Sequence, residues 1–107
     1  MGVRIEFMQP SGKLNATNAE LFRQQASALL NTKPDALLID MQDLVMMDSS
    51  GIGALVFILK STRLIGCRLA LCSLNDQLRF VFATAALHVL FDIFESRADF
   101  EACLLAV

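Results

Sequence analysis

The chain has 107 residues, a length that predicts one domain over residues 1–107 with enough apolar surface to bury a core. Although 55% of the residues are apolar, no apolar run reaches the roughly 18 residues that span a membrane, which predicts a soluble protein with no membrane partner. The net charge of −2, with no concentration of Lys or Arg, excludes the basic surface that nucleic-acid binding requires.

The first segment of the chain predicts a strand with one buried face. Val3, Ile5 and Phe7 alternate with Arg4, Glu6 and Met8, which is the period of two that a strand shows. A turn at residues 10–12 follows, and residues 13–15 predict a short second strand.

The next segment predicts a helix and then an interior strand. Thr17 and Glu20 have the spacing of a capping box and precede apolar residues at helical intervals. We expect this helix to stop before Pro34, because the residue ahead of a proline is disfavoured in the helical region. Residues 36–40 are apolar on both alternating faces, as expected of a strand that is covered on both sides.

A second helix is predicted from about residue 49, ending near Gly66. Its predicted buried face consists of Ile52, Leu55, Val56 and Leu59, widened by Phe57 and Ile58. Residues 67–72 then predict another interior strand.

The last third of the chain predicts two further helices with a strand between them. Ser73 and Asp76 are expected to cap a third helix, which runs through Phe80, Val81 and Ala85, and residues 90–94 predict the last strand. Ser96 opens the terminal helix. The apolar positions of that helix are Phe100, Cys103, Leu104 and Val107.

Three cysteines, Cys67, Cys72 and Cys103, lie among apolar neighbours. Their odd number and their spacing fit neither a disulfide framework nor a zinc site. We therefore expect buried thiols in a reducing cytoplasm, with no metal and no cofactor.

The alternation of strands and helices predicts an α/β fold. We expect a small, mixed, mostly parallel sheet of four to five strands with four surrounding helices. In open sheets of this kind, ligands and partners meet the carboxyl ends of strands and the starts of helices. The segment "MMDSSGIGALVFIL", residues 46–59, lies at such a place.

The start of the second helix contains more capping residues and glycines than a helix needs. Asp48, Ser49 and Ser50 can each cap the first turn, so at least one hydroxyl is surplus and is expected to face solvent. Gly51 and Gly53 each cost about 0.5–1 kcal/mol relative to alanine, which suggests that something approaches the backbone closely. Exposed first-turn N–H groups and the helix dipole attract anions, so this helix start suits a phosphate.

Three chemistries compete for the serines in this segment. A serine nucleophile needs a base and a nucleophile elbow; the sole histidine, His88, has no paired acid, and no glycine precedes the serines. A phosphate-binding loop of the Walker type needs a lysine, which this turn lacks. A phosphoacceptor serine on a protein-binding surface fits best.

Four segments in this order resemble the STAS domain of the anti-sigma factor antagonist family from about residue 3 to the C-terminus. They read "GKLNATNAELFRQQ", "LLIDMQDLVMMDSSGIGALV", "GCRLALCSLNDQLRFVF" and "LFDIFES". The D-S-S-G-I-G motif after an apolar strand is the specific part of this resemblance. It implies a STAS-type fold, which agrees with the element order predicted above.

The resemblance implies a bacterial, cytoplasmic partner switch in transcription regulation. In the family, the unphosphorylated antagonist binds an anti-sigma factor that is also a GHKL-type serine kinase. The kinase phosphorylates the serine after the aspartate and so releases the antagonist, and a PP2C-type phosphatase restores it. Carried onto this sequence, the phosphoacceptor is Ser49. The resemblance also implies that catalysis belongs to the partners, so that this chain has no catalytic residues and is not an enzyme. The partner-binding residues are Asp48, Ser49, Ser50, Gly51, Ile52 and Asn15.

Two positions depart from the family pattern. Asn15 stands where an acidic residue is common, which implies a weaker or different partner contact, and Ala86 stands where many members have a glycine. The alternative function is a STAS scaffold that is not phosphorylated and that binds a protein or ligand in another regulatory or lipid-transport complex.

Overall fold

The computed structural model describes residues 2–105, so the predicted position of Val107 lies outside the described residues. In chain order the elements are β1 (Ile5–Met8), β2 (Gly12–Leu14), α1 (Ala19–Leu30), β3 (Ala36–Asp40), β4 (Leu44–Met47), α2 (Ser49–Leu64), β5 (Arg68–Cys72), α3 (Asp76–Thr84), a 3-10 helix (Leu87–Val89), β6 (Asp92–Phe94) and α4 (Arg97–Leu105).

The main sheet has four parallel strands in the order β1-β3-β5-β6. A second, two-stranded sheet pairs β2 with β4, again in parallel. The predicted α/β fold with a mostly parallel sheet and four helices is confirmed. Strand β4 was not predicted, because only its first and last residues, Leu44 and Met47, are buried and no alternation marks it.

Apolar side chains cover both faces of the main sheet. On one face, Leu37 and Ile39 of β3 pack into the larger cluster, which α1, α2 and α3 cover. On the other face, Leu38 packs into a smaller cluster with Phe100 of α4. The prediction that residues 36–40 form a strand covered on both sides is confirmed, since every residue of β3 is buried.

The predicted buried face of β1 is wrong for two of its three residues. Val3 is 52% exposed and Phe7 is 39% exposed, whereas Met8 on the opposite face lies in the core. Strand β1 is at the edge of the sheet, and the short helix α4 packs over the central strands β3 and β5 instead. Only Ile5 packs partly against the smaller cluster.

The helix boundaries agree with the sequence better than the predicted caps do. Helix α1 ends before Pro34, as predicted, but its N-cap is Asn18 and not Thr17. The cap of α3 is Asn75 and not Ser73, with the Asn75 side chain accepting the Leu78 N–H at 2.8 Å. In both turns the helix begins one or two residues later than the predicted cap implies.

Other end signals were correct. The Ser96 hydroxyl accepts the Asp99 N–H at 3.1 Å at the start of α4, as predicted. Gly66, just beyond the end of α2, has a φ of +70°, the left-handed conformation that a glycine adopts at low cost.

The buried faces of α2 and α3 are rotated relative to the predictions. The buried residues of α2 are Gly51, Ala54, Leu55, Ile58, Leu59 and Thr62. Ile52 and Val56 are half-buried, and Phe57 is 42% exposed beside the Arg23 guanidinium. In α3 the core residues are Leu78 and Phe82, whereas Phe80 is 70% exposed.

Helix length also bears on membranes. Among residues 2–105, no helix combines the length and the apolar composition that crossing a bilayer demands.

Candidate functional site

Asp48 links β4 to α2 and fixes the conformation of the turn. Its backbone is extended, with φ −104° and ψ −169°, and its Oδ1 accepts the N–H of Ser50 at 2.9 Å and of Gly51 at 3.3 Å. Asp48 is therefore the N-cap, which leaves both serine hydroxyls free of that task. Ser49 is the first residue of α2 and is exposed, and Ser50 is half-buried.

The parallel pairing of β2 with β4 brings Asn15 to the same turn. Leu14 lies opposite Met47 in the register, and the Asp48 N–H donates to the Leu14 carbonyl at 3.1 Å. Asn15 and Asp48 therefore leave adjacent strands side by side. The Asn15 Oδ1 accepts the Thr17 N–H at 3.0 Å, so this side chain also shapes its own turn.

A close contact inside the domain explains why residue 51 is a glycine. A Cβ at this position would lie 2.7 Å from the Leu14 carbonyl oxygen and 3.1 Å from the Met47 Cβ. The residue is buried, so it offers a partner little surface and instead lets α2 approach β2 closely. Ile52 is half-buried and packs against the core.

No such contact explains why residue 53 is a glycine. Apart from its chain neighbours and the backbone of its own helical turn, no atom of the described residues lies within 4 Å of a Cβ built at this position. Gly53 lines a groove of about 360 Å³ between the first turns of α1 and α2. The residues around the groove are Ala16, Ala19, Glu20, Arg23, Ser50, Gly53 and Ala54.

The α1 side of this groove was missed by the sequence analysis. Glu20 and Arg23 form an ion pair of 2.8 Å between Oε2 and Nη2, and the Arg23 guanidinium lies 4.7 Å from the centre of the Phe57 ring. No local motif marks these residues as neighbours of Ser50, because the contact depends on how α1 packs against α2.

Among residues 2–105, the sole histidine does not line the groove beside the serines. His88 is exposed in the 3-10 helix and lines a depression with Leu74, Arg79 and Phe82, on a different part of the surface from the groove beside Ser50. In the part of the chain that the structure describes, no group of three or more His, Cys, Asp or Glu side chains could hold a metal ion.

The buried cysteines are suited to packing. Cys67 and Cys72 are buried, and Cys103 is half-buried. Desolvation raises the pKa of both buried thiols above the ordinary value of 9.0. These two thiols therefore stay protonated near neutral pH and behave as small apolar side chains.

Comparison with known proteins supplies the family. The STAS domain family model matches residues 4–100. A Thermotoga neapolitana protein, described as a candidate anti-sigma factor antagonist homologous to TM1081, is 29% identical over 96 residues, which are 89% of this chain and 85% of that protein.

Two solved structures show the same fold. The crystal structure of TM1081 from Thermotoga maritima, described as a candidate anti-sigma factor antagonist, has a TM-score of 0.86 and 26% identity over 92% of this chain and 85% of that one. The murine anion transporter Slc26a9 also has a TM-score of 0.86, with 20% identity over 99% of this chain and 18% of that chain. With the family model matching nearly its whole length, the chain belongs to the STAS domain family.

Proposed function

We propose that this STAS domain is an anti-sigma factor antagonist that works as a phosphorylation-controlled partner switch. The unphosphorylated form binds an anti-sigma factor that is also a GHKL-type serine kinase, in the cytoplasm of a bacterium. Phosphorylation of Ser49 by that kinase releases the complex, and a PP2C-type serine phosphatase reverses the modification. The partners carry the catalytic groups, and this chain is not an enzyme.

The observation that carries this proposal is that Asp48, and not a serine, caps the start of α2. Asp48 satisfies the first-turn N–H groups of Ser50 and Gly51, so Ser49 can be modified without removing a capping bond. Ser49 is exposed, which lets the active site of another protein reach its hydroxyl. A phosphate at this position lies at the positive end of the helix dipole.

A phosphate at the centre of a docking surface opposes binding. It adds about −1.5 to −2 charges and a tightly hydrated group. At an effective dielectric constant of about 20, two like unit charges 4 Å apart repel by about 4 kcal/mol, which lowers affinity several hundredfold. We therefore expect modification to abolish binding while the fold stays intact.

The proposed docking surface combines the two adjacent turns. Asp48, Ser49, Ser50 and Asn15 supply its accessible polar groups, while Gly51 and Ile52 hold the helix start in place beneath them. The open position at Gly53 supports the same surface, because a partner side chain can approach the α2 backbone there.

The test uses the purified chain, candidate GHKL-type kinases of the source organism, and ATP. Mass spectrometry should place phosphate on Ser49 in the wild type and nowhere in Ser49→Ala, while the matched variant Ser50→Ala is still phosphorylated at Ser49. Ser49→Ala should bind the kinase, and Ser49→Asp should bind at least about a hundredfold more weakly. Phosphate on Ser50 alone, or full kinase binding by Ser49→Asp, would contradict the proposal.

The likeness in fold to 18% of the Slc26a9 chain favours one second candidate function, an unphosphorylated scaffold inside a larger complex. If no kinase labels Ser49 and the chain captures a different partner whose binding Ser49→Asp does not weaken, the scaffold explains the protein and the switch is rejected.

A further inference from the structure

Strand β1 leaves one edge of the main sheet open. Its inner edge is bonded to β3, where the Arg4 carbonyl accepts the N–H of Asp35 at 2.9 Å and of Ala36 at 3.3 Å. Because consecutive residues of a strand direct their N–H and C=O groups to opposite edges, those of Ile5 and Phe7 face outward. Within residues 2–105, no strand pairs with this outer edge. An open edge of this kind is a template for another strand.

The residues along this edge are complementary to themselves. They read Val3, Arg4, Ile5, Glu6 and Phe7, so a charge of each sign stands one place to either side of Ile5. Edge strands that avoid pairing commonly carry charged side chains, lysines above all. Here a two-fold rotation about Ile5 instead places each charge opposite its counterion.

We propose that two copies of this chain associate through antiparallel pairing of their β1 edges, with the two-fold axis at Ile5. In this register Arg4 lies opposite Glu6 of the second copy, and Val3 lies opposite Phe7. The outward N–H and C=O groups of Ile5 and Phe7 then fall in the hydrogen-bonded pairs of the antiparallel ladder. The interface is isologous, as a closed dimer requires.

The side chains support the same register. Val3 and Phe7, which are 52% and 39% exposed, are both on the face where Ile5 packs and would cover each other across the interface. Arg4 and Glu6 share the other face, as their ion pair of 3.5 Å within one chain shows. In the dimer, Arg4 and Glu6 would each pair with the opposite charge of the second copy, and such cross-strand pairs stabilise a sheet.

This interface is remote from the serine turn. The Arg4 guanidinium bonds to Thr32, just beyond the end of α1. At the other end of α1, the Asn15 carbonyl accepts the Ala19 N–H at 2.8 Å, and Ser50 lines the groove beside the first turn of that helix. A helix of 12 residues spans about 18 Å. The proposed dimer therefore leaves the docking surface uncovered, and its failure would not affect the proposed switch.

A charge-swap series tests the register by sedimentation velocity over a range of protein concentrations. The wild type should dimerise as concentration rises, and Glu6→Arg or Arg4→Glu alone should weaken the dimer by about tenfold, because two symmetric pairs become repulsive. The double variant Arg4→Glu/Glu6→Arg should restore it. A wild type that stays monomeric at the highest attainable concentration overturns the proposal, as does a dimer that neither single variant weakens.

Disulfide trapping gives a second measurement if a charge variant fails to fold. On the two-fold axis the Cα atoms of Ile5 and its copy would be about 5.5 Å apart, within the range of a disulfide. In a Cys103→Ser background, Ile5→Cys should form a linked dimer with glutathione disulfide, which oxidises the two thiols and is itself reduced to two glutathione thiols. Glu6→Cys should not form a linked dimer, because residue 6 lies opposite Arg4 of the second copy. Equal linking by Ile5→Cys and Glu6→Cys overturns the register.

Discussion

Replacing Gly51 by alanine tests whether the close contact between α2 and β2 holds the serine turn in place. The added Cβ would lie 2.7 Å from the Leu14 carbonyl oxygen, 3.0 Å from the Leu14 Cγ and 3.1 Å from the Met47 Cβ. The oxygen cannot retreat freely, because it belongs to the β2 backbone and accepts the Asp48 N–H at 3.1 Å.

Two opposing terms set the magnitude. Alanine is better than glycine inside a helix by about 1 kcal/mol. Overpacking of a filled site costs about 1–3 kcal/mol, and here one of the overlapping atoms is backbone, so we take the upper part of that range. The free energy of unfolding should therefore fall by about 1–2 kcal/mol, which lowers Tm by roughly 5–10 °C in a domain of this size.

Gly53→Ala is the matched control on the same helix. Among the described residues, no atom outside its own helical turn lies within 4 Å of the added Cβ, so only the propensity term remains and Tm should rise by about 4 °C. Thermal melts and urea unfolding followed by circular dichroism measure both variants. If Gly51→Ala is as stable as Gly53→Ala, the contact with Leu14 does not constrain the helix start, and the steric explanation for this glycine is wrong.

Three further predictions follow from local geometry. Ala86 has a φ of +57°, so Ala86→Gly should stabilise the fold by about 1 kcal/mol in the same melts. Ala85 has a φ of −88°, so the control Ala85→Gly should destabilise the fold by about 0.5–1 kcal/mol. Equal effects of the two variants would exclude strain at residue 86. Asp48→Ala removes both capping bonds and should cost about 1 kcal/mol in urea unfolding, so an unchanged midpoint would assign the cap elsewhere. Burial raises the pKa of Cys67 and Cys72 above 9.0, so folding favours the protonated thiols. The free energy of unfolding should therefore be constant up to about pH 9.0 and fall as pH rises above it. Cys72→Ala should make this fall shallower, and an identical slope would rule out this thiol as its cause.

The sequence alone determined the features that depend on neighbours along the chain. Alternation with a period of two identified β1, and largely apolar runs identified β3 and β5. Pro34 marked the limit of α1, and the surplus of capping residues at Asp48 singled out the serine turn. These signals are local because capping, chain direction and helix termination act within a few residues.

The tertiary structure alone decided which faces are covered and what meets the serine turn. Strand β4 exists because β2 pairs with it, and the same pairing brings Asn15 beside Asp48 and the Leu14 carbonyl against Gly51. Exposed Phe80 fits an apolar helix pattern as well as buried residues do, since periodicity states that a face exists but not which element covers it. Contacts between residues far apart in the chain depend on how helices and strands pack together, and no single segment encodes that packing.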